Sequence, residues 1–464
     1  MPNPNTTILN GLRLKLFLKQ PYKCYHSGIE MINLMIQYDG RVKYSLNALI
    51  ASVEKIGVAK VFLPTTFERA LEYVTLARNS GEKCVYAVSL LTTMLVDDFY
   101  RVSLIETIRK MREAGCVTIA GGPHVSGDPI GTLYRIGVDF AFIGEAEKTL
   151  QDFLKALEDN DDVYAVKGIG YRTRDRLVFT GRESPINLDD YDPFPYWKGI
   201  VNPIEITRGC SYGCHYCQVS YVHGFRLRHR SLDRIIFYAL ESLKLGVRDL
   251  RFITPDSLSY GLSRTTDPVD SEKIISLLDE LYKKVRDFGG RIFFGSFPSE
   301  IRPEHADHSL LKVMRRYVSN QELIIGGQSG SDRVLSMVKR GHGVEDVENA
   351  VDYALNAGFT PSVDFIIGFP GETREDMMMT LQFAEKLVLK GARIHLHYYI
   401  PLPGTPLGLR KPTPLPFEVR RAWSRLVGSG KAYGSWLNQE KISQGIINLI
   451  ETGFINPRLK IHEV

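Results

Sequence analysis

Apolar and polar positions in this chain alternate between short runs typical of buried strands and longer stretches with helical spacing. LRLKLFL (12–18) reads as a first strand, and YSLNALIASVEKIG (44–57) as a helix leading into a buried strand, VAKVFLP (58–64). FERALEYVTLARNSG (67–81) is a helix stopped by a glycine. CVYAVSLL (84–91) is a strand, DDFYRVSLIETIRKMREAG (97–115) a helix, and CVTIAGG (116–122) a strand ending on two glycines. Strand VDFAFIG (138–144) and helix AEKTLQDFLKALED (146–159) complete the series. Strands separated by helices imply parallel pairing and a doubly wound, Rossmann-like sheet.

GIGYRTRDRLVFT (168–180) reads as a hairpin, and the Asp- and Pro-rich NLDDYDPFPYW (187–197) as a linker. The alternation then restarts with strand candidates at 203–207, 249–254, 291–295, 322–327, 362–368 and 393–400. In the helix between the second and third, Ile274, Ile275, Leu277, Leu278, Leu281 and Val285 repeat at helical spacing. Six such units predict a partial (β/α)6 barrel, whose chemistry belongs in the loops after the strand C-termini. The expected α/β organisation is a Rossmann-like domain over 1–160, a hairpin and linker over 161–200, the barrel over 201–405 and a C-terminal helical extension over 406–464.

Composition adds constraints. Of 464 residues, 44% are hydrophobic and 24% charged, an ordinary globular balance, and a net charge of +5 gives no indication of nucleic-acid binding. No run approaches the ~20 apolar residues that span a bilayer, and the N-terminus has no leader pattern, so the expected location is cytoplasmic. Six cysteines do not make a disulfide scaffold at this length. Cys84 and Cys116 open buried strands and read as inert core thiols, whereas Cys210, Cys214 and Cys217 crowd into eight residues.

ITRGCSYGCHYCQ places those three thiols at C-x3-C-x2-C directly after the first barrel strand. Thiolates suit iron–sulfur clusters and zinc. A structural zinc would need a fourth ligand from His215 or His223, and His215 lies awkwardly between two of the cysteines. The spacing and Tyr216 resemble the radical S-adenosylmethionine superfamily. So do GGQSGSDRVLSMVKRGH (326–342), VDFIIGFPGET (363–373) and YYIPLPGTPL (398–407). The resemblance covers nearly all of 200–405. It implies a 4Fe-4S cluster on the three cysteines, with the fourth iron chelated by S-adenosylmethionine. Reductive cleavage of that molecule yields a 5′-deoxyadenosyl radical, and the electron comes from a donor such as flavodoxin or ferredoxin.

The same resemblance places Tyr216, Ser299, Glu300, Gln328, Ser329 and Ser331 near S-adenosylmethionine, although Gly-Ser turns and solvated loops are ordinary readings of several. Arg302 lies in the same loop as Ser299 and Glu300. Arg226, Arg228 and Arg230 alternate and read as one wet face. His395 and His397 share one face of a strand, either lining a substrate cavity or satisfied within a barrel layer. In the first domain, SLLTTM (89–94), AGGPHVSGDP (120–129) and FIGEAEKTL (142–150) resemble the cobalamin-binding subgroup. That likeness implies a corrinoid near Thr92, Gly121, Gly122, Pro123, His124, Gly144 and Glu145. The Asp-x-His-x-x-Gly motif that ligates cobalt in many cobalamin proteins is absent, and the corresponding loop reads TTFERA. Methyl transfer to an unactivated carbon of an unidentified substrate is the expected reaction. Two alternatives stand beside it: a methylthiotransferase with a second cluster on Cys24, Cys84 and Cys116, and a non-catalytic cobalamin or metal sensor.

Overall fold

The computed structural model describes residues 31–80, 82–174, 176–456 and 462–463; the strand expected at 12–18 and Cys24 lie outside them. β1 (Ile32–Ile36), β2 (Ala59–Phe62), β3 (Cys84–Ser89), β4 (Val117–Gly121) and β5 (Phe140–Phe142) pair in parallel in the order β2-β1-β3-β4-β5. This is the flavodoxin-like arrangement, with its switch point between β1 and β3. β1 is fully buried, and its run INLMI is broken by Asn33, whose amide donates to Glu82 at 2.7 Å.

Apolar residues cover both faces of this sheet. Leu46, Ile50, Phe153 and Leu154 pack on one side; Leu104, Ile108, Met111 and Ala70 pack on the other. β6 (Ile169–Arg172) runs antiparallel to β5, and β7 (Leu177–Phe179) antiparallel to β6, so the predicted hairpin extends this sheet.

The structure corrects one reading outright. Cys84 and Cys116 are not free core thiols but a disulfide, with Cα atoms 4.6 Å apart. Each precedes one member of the register pair Val85–Val117, so the two side chains leave adjacent strands in the same direction.

The barrel contains all six expected strands: β8 (Ile204–Glu205), β9 (Asp249–Ile253), β10 (Arg291–Phe293), β11 (Glu322–Gln328), β12 (Thr360–Ile367) and β13 (Arg393–Tyr398). They follow in sequence order and in parallel, with β8-β9-β10 joined to β11-β12-β13 through the bridge Ile301–Ile325. The C-terminal segment adds a short seventh strand, β14 (Ala432–Tyr433), beside β13. Its last helix, Trp436–Glu451, packs back on the first domain, where Ile446 and Leu449 join that domain's core. The chain then places β15 (His462–Glu463) alongside β7. Among the described residues, no helix is long and apolar enough to cross a membrane.

Candidate active site

The cysteine loop leaves β8 through backbone that only glycine fits comfortably. Gly209 has φ +90°, and a Cβ there would lie 2.1 Å from the Arg226 carbonyl oxygen; Gly213, at φ +62°, has the Phe225 ring against its Cα. Ser220 Oγ donates to the Cys210 carbonyl at 2.7 Å, and Tyr221 OH to the Gly213 carbonyl at 2.9 Å. Tyr216 packs its ring 5.3 Å from that of Phe369.

The donor set fits a cluster better than a single ion. Tetrahedral zinc on bonds of ~2.3 Å needs its sulfurs roughly 3.8 Å apart. Among the described residues, however, the one set of three Cys, His, Asp or Glu ligand atoms all within 4.8 Å of one another is Asp364, His395 and His397. The imidazole of His215 faces away, its Nδ1 3.1 Å from the Met337 carbonyl, and that of His223 lies 3.3 Å from Glu145. Burial pushes the Cys217 thiol up to about 12, so a thiolate there requires a compensating positive charge of the kind cluster iron would supply.

Two buried arginines stand beside the loop. Arg340 donates to Glu300 Oε1 (3.1 Å) and the Gly326 carbonyl (3.0 Å), and its charge acts on Tyr216 and Cys214. Arg302 lies 3.5 Å over the Tyr212 ring. The sequence signal for Arg340 is weak: it is one of two adjacent cations in the KRGH run following a strand and a short helix.

The residues expected at S-adenosylmethionine divide by what their polar atoms already touch. Ser299 Oγ is engaged with the Phe252 carbonyl (2.7 Å) and the Thr254 amide (3.1 Å). Ser329 pairs with Thr380 at 3.1 Å, and Ser331 caps the helix Asp332–Met337 and donates to Asp376 at 2.6 Å. These hydroxyls are held by protein. Gln328, at the end of β11, has φ +67°, and its amide makes no hydrogen bond among the described residues. A non-glycine residue held in the left-handed region is characteristic of functional sites.

The first domain meets the cysteine loop directly. Gln218 Nε2 donates to the carbonyls of Pro123 (3.1 Å) and Pro403 (2.8 Å). A Cβ on Gly127 would lie 2.0 Å from the Pro403 oxygen, and one on Gly144 would lie 3.6 Å from the Val222 oxygen. Gly122, at φ +100°, turns so tightly that a Cβ would meet the Leu90 oxygen at 2.8 Å, and Gly121 sits against Phe142. Pro123 opens a short helix in which His124 is buried, its Nδ1 3.0 Å from Thr92 Oγ1. Burial depresses the His124 imidazole to about 4, and its bonded nitrogen is directed at Thr92.

Glu145 is a tie between domains. It pairs with Arg228 (2.9 Å), Arg208 (3.5 Å) and His223 (3.3 Å) and accepts from the Ile186 amide (3.2 Å). Burial alone would raise its carboxyl, but these hydrogen bonds and charges hold it well below the usual range. Arg228 and Arg230 are therefore not a wet face. Arg230 is 1% exposed and donates to the Tyr191 carbonyl at 3.0 Å, tying down the Asp- and Pro-rich segment.

His395 and His397 lie on the barrel's lumen side, because their neighbours Ile394 and Leu396 are buried in the opposite core. His395 Nδ1 is 3.0 Å from Asp364 Oδ1, and its ring stacks on Tyr433 at 4.5 Å. Asp364 and Gln439, the groups that orient the two imidazoles, were not foreseen: one is a strand residue within a longer motif, the other belongs to a distant helix.

Residues 204–384 match the family model of the radical SAM superfamily. An uncharacterized methyltransferase of Pyrococcus horikoshii is 27% identical over 329 residues, covering 68% of this chain and 67% of that protein. The tRNA-2-methylthio-N(6)-dimethylallyladenosine synthase of Chromohalobacter salexigens is 30% identical over 225 residues, so the chain spans about half (47%) of that relative's length. Among solved structures, the radical S-adenosylmethionine methyltransferase TsrM of Kitasatospora setae, with cobalamin and a [4Fe-4S] cluster bound, superposes with a TM-score of 0.66. The identity is 18%, with 83% of this chain and 78% of that chain covered. The cobalamin-dependent enzyme OxsB superposes at 0.62 and 13% identity, covering 93% and 61%. At these identities the likeness is one of fold. The open barrel, whose first loop carries three thiols too widely spaced for one ion, is thus similar over residues 204–384 to the radical SAM superfamily, and the two domains together share the fold of the TsrM and OxsB structures.

Proposed function

We propose that this protein is a cobalamin-dependent radical SAM enzyme that methylates an unactivated carbon of a substrate entering the barrel lumen. One observation carries the reading: the first domain's sheet-end loops abut the segment bearing the three cysteines through Pro123 and Gly144, and the loop after β13 through Gly127. A corrinoid held at that sheet edge would face the cluster. When bound, the cluster with S-adenosylmethionine supplies a hydrogen-abstracting 5′-deoxyadenosyl radical, and the corrinoid supplies a methyl group.

The chain's own residues do the rest. Cys210, Cys214 and Cys217 would hold the cluster, Arg340 and Glu300 place charge beside that loop, and the Gln328 side-chain amide is available to S-adenosylmethionine. The loops after β3, β4 and β5, from Thr92 to Glu145, frame the corrinoid, and Glu145 keeps the two domains docked. His124 is held by Thr92 through its Nδ1. A flavodoxin- or ferredoxin-type donor in the cytoplasm would reduce the cluster.

The likeness to the Chromohalobacter salexigens synthase favours a second reading, a methylthiotransferase, which would need a second cluster. Against it, two of the three cysteines that would hold the second cluster, Cys84 and Cys116, are bonded to each other. Anaerobic purification with hydroxocobalamin tests the proposal: retention of about one corrinoid per chain is expected, and no retention across a range of concentrations overturns it.

A further inference from the structure

Three ligand-type side chains converge inside the barrel, away from the cysteine loop. Asp364 on β12 and His395 and His397 on β13 retain side-chain exposures of 17, 28 and 27%, so the lumen is open to small molecules at this depth. His395 Nδ1 lies 3.0 Å from Asp364 Oδ1 and 3.2 Å from His397 Nε2. Those spacings alone would suit two-histidine, one-carboxylate metal ligation. The proton positions argue otherwise.

The Tyr398 backbone N–H donates to Gln439 Oε1 at 2.8 Å, which fixes the orientation of that amide. Gln439 Nε2 therefore donates to His397 Nδ1 at 3.1 Å, and a neutral His397 carries its proton on Nε2. That nitrogen has no lone pair for a metal. Metal-bound imidazoles instead donate their second N–H to an acceptor. His395 has one in-plane site at Nδ1 and two neighbours there. With Asp364 ionised, that site holds a proton and donates it to the carboxylate, which leaves Nε2 bare. The ring cannot easily turn, because it stacks on Tyr433 with planes 7° apart, and the Tyr433 hydroxyl is fixed to Ser362 at 2.8 Å. Among the described residues His395 Nε2 has no hydrogen-bond partner.

We propose that His395, positioned by Asp364, is the proton-accepting imidazole of the barrel lumen and receives an O–H or N–H group of the substrate, with Gln439 keeping the cluster free of metal. This assigns the substrate a protic group, a hydroxyl or amine, and rests on the lumen being the substrate's site as proposed above. The charged and titratable groups around His395 are Asp364, His397, Tyr433, the Arg393–Glu322 pair (3.3 Å) and, acting on Asp364, Glu300.

The test uses the full chain with its cluster reconstituted. Diethylpyrocarbonate at neutral pH, followed by site-resolved mass spectrometry, is expected to carbethoxylate His395 and spare His397, whose unprotonated Nδ1 accepts from Gln439. Equal labelling of both, or an unlabelled His395, overturns the proposal. In a second arm, Zn2+ is titrated calorimetrically. The wild type should show no lumen site, whereas Gln439→Glu, which accepts from both Tyr398 N–H and His397 Nδ1–H and so moves the imidazole proton off Nε2, should bind Zn2+ at least ~10-fold more tightly. Tight wild-type binding abolished by Asp364→Asn overturns the assignment in favour of a metal site. If Gln439→Glu does not fold, the labelling arm still decides. Both arms leave the cluster intact and need no radical turnover, so their failure is distinct from failure of the methyltransferase reading.

Discussion

Replacing Glu145 with Gln separates two roles for a residue that lies where a corrinoid is expected. The carboxylate is 7% exposed and joins the first domain to Arg228 and Arg208 of the barrel. Removing one partner of a buried pair costs about 3–5 kcal/mol when the other charge is stranded. Here Arg208 keeps Glu147 and Glu205, both at 2.7 Å, and Arg228 keeps the carbonyls of Ile186 (2.7 Å) and His223 (2.9 Å). The expected loss is therefore smaller, about 2–3 kcal/mol. Denaturant unfolding of protein prepared without cobalamin measures it, and a cycle with Arg228→Met should show non-additivity above ~1 kcal/mol. pH supplies a further check with a definite sign. A carboxyl depressed in the fold contributes stability above the ordinary glutamate range and loses it as pH falls through its folded value, so the advantage of wild type over Glu145→Gln should shrink in acid. Wild-type stability in the corrinoid-free variant, with cobalamin retention alone lost, would refute the argument and make Glu145 a cofactor contact.

Glu372 behaves in the opposite sense. Burial raises its carboxyl to about 8 while one oxygen accepts from the amides of Gly368 (2.8 Å) and Phe369 (3.0 Å), so the fold prefers the protonated form. Its contribution is complete below the unfolded value and drains away as pH rises towards 8; the stability of Glu372→Gln relative to wild type should climb by roughly 3–5 kcal/mol between pH 4 and 8. A flat difference across that range would show that Glu372 is ionised in the fold. The Cys84–Cys116 disulfide closes a separation of 32 residues, and the double serine variant should lose about 3–4 kcal/mol without any change in iron content. A fall in iron would instead tie those sulfurs to a second cluster.

Much of this architecture is legible in the sequence because strand and helix periods are local. The six barrel strands and the hairpin fall where their apolar runs put them, and the cysteine spacing names its own chemistry. What escaped depends on register and on distance along the chain. β1 is an interior, fully buried strand of its sheet, yet Asn33 interrupts its pattern and hides it. The disulfide needs the pairing of β3 with β4, which neither strand encodes alone. Ser329 and Ser331 look like ligand-binding hydroxyls until the helix Arg374–Lys390 brings Thr380 and Asp376 against them. Glu145 and Arg228 are separated by 83 residues, so their pairing, and the burial of Arg228, follow only from the docking of the domains. Gln439, which sets the proton on His397, comes from a helix that carries no recognisable motif.

Three sulfurs serving a four-iron cluster would leave one position for S-adenosylmethionine. Iron and sulfide analysis of anaerobically reconstituted protein, combined with quantification of 5′-deoxyadenosine after reduction, addresses it directly. About four irons per chain and formation of 5′-deoxyadenosine are predicted, both lost in Cys214→Ala. A single tightly bound ion per chain, or a Cys214→Ala protein that still cleaves S-adenosylmethionine, would contradict it.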